Sequence, residues 1–116
     1  KVEKKVKLVY KIWIEGKTKA FGEGPYKLLR KVEQLGSLNK AAQDMNMSYS
    51  KAWSIIKRAE RELGIMLVES NKGGTGGGGS RLTRQAKTLL TQYDEFYREA
   101  GEKLTKLYSK YFGELL

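Results

Sequence analysis

The chain has 116 residues, 40% of them hydrophobic, which fits one domain with a modest core. Its 23 lysines and arginines against 13 acidic residues give a formal net charge of +10 and point to an anionic partner, either nucleic acid or an acidic membrane surface. With no cysteine and no histidine, the usual zinc ligands, thiol nucleophiles and histidine acid–base groups are missing, so neither a metal site, a cofactor nor an enzyme is expected.

The first residues alternate. Val6, Leu8, Tyr10, Ile12 and Ile14 point one way and Lys7, Val9, Lys11, Trp13 and Glu15 the other, which predicts a strand with one buried face. Glu15-Gly16-Lys17 supplies a turn, and Thr18 to Phe21 is expected to return antiparallel. Gly22 to Pro25 then breaks the sheet and places proline at a helix start, where its missing N–H costs nothing. A helix is predicted over 26–35, with Leu28, Leu29, Val32 and Leu35 as its apolar stripe.

Gly36 ends that helix and Ser37 is placed to cap the next, in which Leu38, Ala41, Ala42 and Met45 mark the buried side. The paired alanines allow a second helix to cross closely. Asn46 stands where a helix-turn-helix commonly has glycine, and asparagine tolerates the left-handed conformation that such a turn needs. Ser48 can cap a third helix with Ala52, Ile55, Ile56, Ala59 and Leu63 on one face and Gly64 closing it. The N-terminal part of a second helix of this kind meets base edges in a major groove. That places Tyr49, Ser50, Lys51 and Ser54 at the bases and Lys57 and Arg58 at phosphates. Trp53, beside the apolar stripe, is assigned to the core.

Ile65 to Val68 reads as a strand, and Arg81-Leu82-Thr83 as its return. Between them six of the seven residues from Gly73 to Gly79 are glycine, so the segment cannot bury side chains but can bring backbone N–H groups close to a phosphate. A nucleotide-binding P-loop would need lysine after the last glycine, and Ser80 and Arg81 stand there. A plain flexible linker is the bland reading. The order helix, helix-turn-helix, strand, glycine loop, strand, helix is that of a winged helix, whose wing would bring Lys72, Ser80 and Arg81 to the DNA backbone.

Thr83 is placed to cap a last helix reaching about Phe112, roughly 45 Å at about 1.5 Å per residue. Its apolar positions Leu89, Tyr93, Phe96, Ala100, Leu104, Leu107, Tyr111 and Leu115 step by three and four, close to an eleven-residue repeat. Leu90, Tyr97 and Tyr108 widen the stripe beyond what a small domain can cover. A homodimer interface is therefore expected on Leu89, Tyr93, Phe96, Tyr97, Leu104, Leu107, Tyr108 and Tyr111, and Gly101 could permit a local kink. The expected organisation is mainly α with a small β component: a winged helix-turn-helix over residues 1–83 and a long C-terminal dimerisation helix over 84–116.

Gly36-Ser37-Leu38, Ala41-Ala42, Met47-Ser48, Glu60, Leu63-Gly64, Leu67 and Leu82-Thr83 resemble the N-terminal DNA-binding domain of LysR-type regulators. Ser48-Tyr49-Ser50-Lys51-Ala52-Trp53, Leu67-Val68 and the run from Gly73 to Ser80 resemble, more narrowly, the molybdate-responsive transcriptional regulators. The resemblance implies a homodimeric prokaryotic transcription factor placing two recognition helices on a palindromic operator. Thr75 stands where that family often has lysine. Molybdate sensing in the family belongs to a separate C-terminal oxyanion-binding domain, so no effector is assigned to the residues up to Leu116.

No apolar run of about 18 residues and no signal-peptide pattern occurs, so neither a membrane span nor export is expected and the protein reads as cytoplasmic; a first residue of Lys1 points to a trimmed N-terminus. The leading expectation is a sequence-specific regulator of transcription bound to double-stranded DNA. The alternatives are an architectural protein that coats nucleic acid without sequence preference, and a protein-interaction module whose working surface is the long helix.

Overall fold

The computed structural model describes residues 6–71 and 79–116. Eight elements follow in the order β1 (Ile14–Glu15), β2 (Lys19–Phe21), α1 (Glu23–Leu35), α2 (Leu38–Asp44), α3 (Tyr49–Leu63), β3 (Val68–Asn71), β4 (Gly79–Leu82) and α4 (Arg84–Phe112). This is a mainly helical winged helix-turn-helix with two small antiparallel sheets, β1 with β2 and β3 with β4, and a long C-terminal helix.

The helix boundaries follow from local chemistry. Ser37, Ser48 and Thr83 each accept a hydrogen bond from the backbone N–H three residues on, at 3.1, 3.1 and 3.0 Å, and so satisfy one of the donors that a helix start leaves free. Gly36 and Gly64 close α1 and α3 with φ of 71° and 73°, a left-handed conformation that costs glycine little. Asn46 takes the same region, with φ 56°, in the tight turn between α2 and α3. Ala41, Ala42, Ala52 and Ala59 are all fully buried, so α2 and α3 approach with no side chain longer than a methyl between them at these points.

The core gathers Leu28, Leu29 and Val32 of α1, Ile56 of α3, Leu67, and Ala86, Leu90 and Tyr93 of α4. It therefore continues past residue 83 into the first turns of the last helix. Tyr93 packs edge-on against Phe21 at 5.1 Å between ring centres, and its hydroxyl donates to the Ile12 carbonyl. Asp94 accepts from the Tyr26 hydroxyl and pairs with Arg30, which also reaches Glu33, so α1 and α4 are fixed to each other by polar as well as apolar contacts. The Arg30 guanidinium is held above its ordinary pKa chiefly by the Tyr26 hydroxyl, with Asp94 and Glu33 adding to it against the cost of burial.

Two expectations about strands are corrected. The alternating residues 6–13 form no ladder, and β1 is confined to Ile14–Glu15, paired with β2 through Ile14↔Phe21 and Glu15↔Lys19. Their alternation is real but serves a helix: Leu8, Tyr10 and Ile12 turn inward, Tyr10 stacks on Tyr97 at 5.5 Å, and the Tyr97 hydroxyl donates to the Tyr10 carbonyl. α4 runs unbroken through Gly101, where a Cβ would collide with the Tyr10 hydroxyl, so the glycine there makes room for the close approach of Tyr10. The wing strands are displaced too, Val68–Asn71 pairing with Gly79–Leu82 from Val68↔Leu82 to Asn71↔Gly79. Glu69 and Ser70 are exposed, so β3 lacks the apolar alternation that announces a strand.

Candidate nucleic-acid interface

One face of α3, carrying Ala52, Ile56, Ala59 and Glu60, goes down into the core. The opposite side presents Tyr49, Ser50, Lys51, Trp53, Ser54, Arg58 and Arg61 to solvent, with Lys57 half-buried. The Ser48 cap and the Asn46 turn fix where α3 begins, and on its first two turns Ala52 packs inward while Tyr49, Ser50, Lys51, Trp53 and Ser54 stay exposed, as insertion into a major groove requires.

On one flank of α3 lies the wing sheet. Tyr49, Trp53 and Lys57 share a shallow recess with Val68, Glu69 and Ser80. The wing is fastened from beneath: Glu60, only 7% exposed, accepts from Leu67 N at 2.8 Å and Val68 N at 3.3 Å while its other oxygen pairs with Lys57 at 3.1 Å. β4 is fastened to the turn between α1 and α2, where Ser80 N donates to the Gly36 carbonyl at 2.9 Å and Ser80 Oγ accepts from Leu38 N at 3.3 Å. On the other flank lies the β1–β2 hairpin. Its turn is held by Glu62, whose carboxylate accepts from Lys17 N at 2.6 Å and Thr18 N at 3.2 Å; the Thr18 contact first, then that of Lys17, hold Glu62 below the usual carboxylate pKa.

Ion pairing divides the basic side chains. Lys57 is paired with Glu60, Arg61 with Glu62 and Arg81 with Glu69, whereas among the described residues Lys51 and Arg58 have no carboxylate partner. The Arg81–Glu69 pair is exposed and therefore contributes about 0–1 kcal/mol, so a phosphate can displace it at little cost. Lys57 is bound differently, since leaving would strip a buried carboxylate of its counter-charge.

Residues 26–87, which span this whole arrangement except the hairpin, match the family of bacterial regulatory helix-turn-helix proteins of the lysR type. The chain belongs to the lysR family. It is 40% identical over 68 residues to the transcriptional regulator ModE of Haemophilus influenzae, covering 59% of this chain and 27% of that protein. With the DNA-binding transcriptional dual regulator ModE of Escherichia coli it shares 39% over 67 residues, 58% of this chain and 26% of that one. The matched part thus spans about a quarter of these relatives. The fold is that of the CbnR DNA-binding domain, seen in a complex with DNA: TM-score 0.56 at 20% identity, over 74% of this chain and 93% of that one. The resemblance to molybdate-responsive regulators is borne out by the ModE matches.

Within this lysR-family chain, Tyr49, Ser50, Lys51 and Ser54 are all exposed on the first two turns of α3: Tyr49 toward the wing, Ser50 and Ser54 outward, and Lys51 on the side of Arg58 and the hairpin. Lys57, Ser80 and Arg81 are brought to the wing side, each already engaged within the fold; Lys72 and Gly73–Gly78 lie outside the described residues. Trp53, expected in the core from its place beside the apolar stripe, is instead 47% exposed, with the Lys57 ammonium 5.5 Å from its ring centre. Its spacing of four from both Tyr49 and Lys57 places it on their ridge, and that spacing was the available signal.

The sequence-predicted dimer surface divides. Tyr93 is 6% exposed and belongs to its own chain's core, and Leu89 and Tyr97 are packed against that core, because α1 and residues 6–13 cover this part of α4. Phe96, Leu107 and Tyr111 remain exposed, together with Phe112 and Leu115, which widen the patch. Leu104 and Tyr108 are half-buried and line, with Leu8, a shallow apolar recess at the far end of the helix.

Proposed function

We propose that this chain is the DNA-binding part of a transcription regulator that works in the cytoplasm as a homodimer on a palindromic operator. The observation that carries the reading is the exposed set Tyr49, Ser50, Lys51 and Ser54 on the first two turns of a capped second helix, flanked by a wing. Lysine and serine at these positions can donate to the base edges of a major groove, and Lys51 has no carboxylate partner among the described residues to give up first. Family membership and the name of the E. coli relative support the same reading. Among the described residues no helix is long and apolar enough to cross a membrane.

Dimerisation is proposed through the outer half of α4. No residue beyond Gly101 is buried, yet Leu107, Tyr111, Phe112 and Leu115 stand exposed there. A second copy covering that surface would bring two recognition helices to half-sites about 34–36 Å apart, one turn of duplex.

Base reading by Lys51 has a direct test. Lys51→Ala is expected to lose about 1–3 kcal/mol of discrimination at one base position of each half-site while the remaining positions keep their preference. Binding of a single-substitution operator set by parent and variant measures it. Uniform weakening across the set would move Lys51 to the backbone, and weakening with no preference in the parent either would favour an architectural coat.

A further inference from the structure

The hairpin on the free flank of α3 lies outside the residues that the family match covers, and its chemistry is that of a wing. We propose that β1 and β2, with the turn between them, form a second phosphate-binding arm that contacts duplex DNA on the side of α3 opposite the glycine-bearing sheet.

The hairpin is tied to the recognition helix itself. Glu62, on α3, takes both turn amides, and Gly16 sits so close to that carboxylate that a Cβ there would collide with it. Any pose that inserts α3 therefore carries the hairpin with it. A helix with its side chains is about 10–12 Å across and fills a major groove about 12 Å wide, so groups mounted on either flank come to the two phosphate ridges bounding the groove.

The charges agree with that placement. Lys17 and Lys19 are exposed, and among the described residues neither has a carboxylate partner. Lys19 lies 5.2 Å from the ring centre of the exposed Trp13, an arrangement that holds the ammonium without neutralising it, and Trp13, Lys19 and Arg58 line one recess. The wing side shows the reverse pattern, with Lys57 and Arg81 both committed to glutamates. The hairpin flank thus offers three cations that need break no ion pair to meet a phosphate. Each phosphate met releases condensed counterions, which contributes about 0.9 to the slope of log affinity against log salt.

This inference rests on the DNA-binding reading above, and its test separates the two. The double variant Lys17→Gln/Lys19→Gln is compared with the parent and with Lys103→Gln/Lys106→Gln, which removes the same charge from the far half of α4. On duplexes carrying a single half-site, bound by one module so that dimerisation does not enter, the hairpin variant is expected over a range of salt to bind about tenfold more weakly, with a slope shallower by about two and an unchanged order of preferred half-site sequences. The control should match the parent. A hairpin variant with the parent's slope overturns the arm and leaves the DNA-binding reading intact, whereas a parent that binds no duplex at low salt overturns both. Phosphate ethylation interference on the unaltered chain gives the same answer without any variant. Interfering phosphates on both walls of the groove support the arm, and interference on the wing wall alone overturns it.

Discussion

Replacing Glu60 with alanine destabilises the folded chain by about 3 kcal/mol, because two backbone N–H groups lose their acceptor in a buried place and Lys57 loses its counter-charge. Glu60 takes the amides of Leu67 and Val68, the last two residues before and at the start of β3, so it fixes where the wing leaves α3. Glu60→Gln keeps an acceptor oxygen for the two backbone N–H groups but turns an amide NH2 toward Lys57, whose half-buried ammonium must then turn to solvent, so its cost should be nearer about 1 kcal/mol. Urea unfolding of the two variants beside the parent measures both values. Equal, negligible losses would show that water replaces the carboxylate and that the wing is set by other contacts, such as Ser80 N to the Gly36 carbonyl. In the destabilised variant, sequence preference through α3 should survive better than overall affinity, since the helix start is fixed by Ser48 and Asn46 rather than by Glu60.

Leu107→Asp tests the proposed dimer, with an expected loss of about 100-fold or more in affinity for a two-half-site operator. Leu107 is 49% exposed in the single chain, so a carboxylate there leaves the fold's own core untouched. Buried between two copies it would be an unpaired charge facing Tyr111 and Phe112, and association should fail. Sedimentation equilibrium is expected to show the parent as a dimer and the variant as a monomer with the parent's helix content by circular dichroism, melting somewhat lower because no partner subunit stabilises its folded state. A variant that remains dimeric would place the interface elsewhere, for instance around Phe96, where exposure is 52%. Binding to a single half-site should barely differ between parent and variant, because each α3 and its flanks are intact. That contrast separates loss of avidity from damage to the reading surface.

The helices were legible because their ends carry chemistry that only those positions need. Serine and threonine caps, glycine at positive φ and asparagine in the turn each satisfy a local requirement that no distant contact can replace. Strands and burial depended on what lies across the gap. Residues 6–13 alternate as a strand does, yet their inward side chains face α4 rather than a neighbouring strand, and periodicity cannot tell those two partners apart. β3 was expected too early in the chain for the opposite reason: past Val68 its polar residues pair with a partner strand while the exposed Glu69 and Ser70 do not enter the core.

The candidate site shows the same division. The exposed first turns of α3, with Tyr49, Ser50, Lys51 and Ser54, could be read from helical spacing and a capping serine. The fate of its cations could not, because whether Lys57 or Arg58 is free depends on the acidic residues that face them, and a glutamate such as Glu60 reads as solvated until its burial is seen. Tyr93 illustrates the cost of a stripe read without its neighbours: both rows of α4 are apolar along its length, but α1 and the N-terminal segment cover Leu89, Leu90, Tyr93 and Tyr97 of its inner half within the chain. The hairpin lysines carried no pattern at all beyond charge, and only the Glu62 anchor places them beside α3.

Selection of bound duplexes from a random-sequence pool, at near-physiological salt, bears most directly on the central claim. A dimer reading bases with two copies of α3 should enrich an inverted repeat with half-site centres about one helical turn apart. Retention of DNA without enrichment of any sequence would contradict it, leaving the basic surface as a coat for the backbone alone.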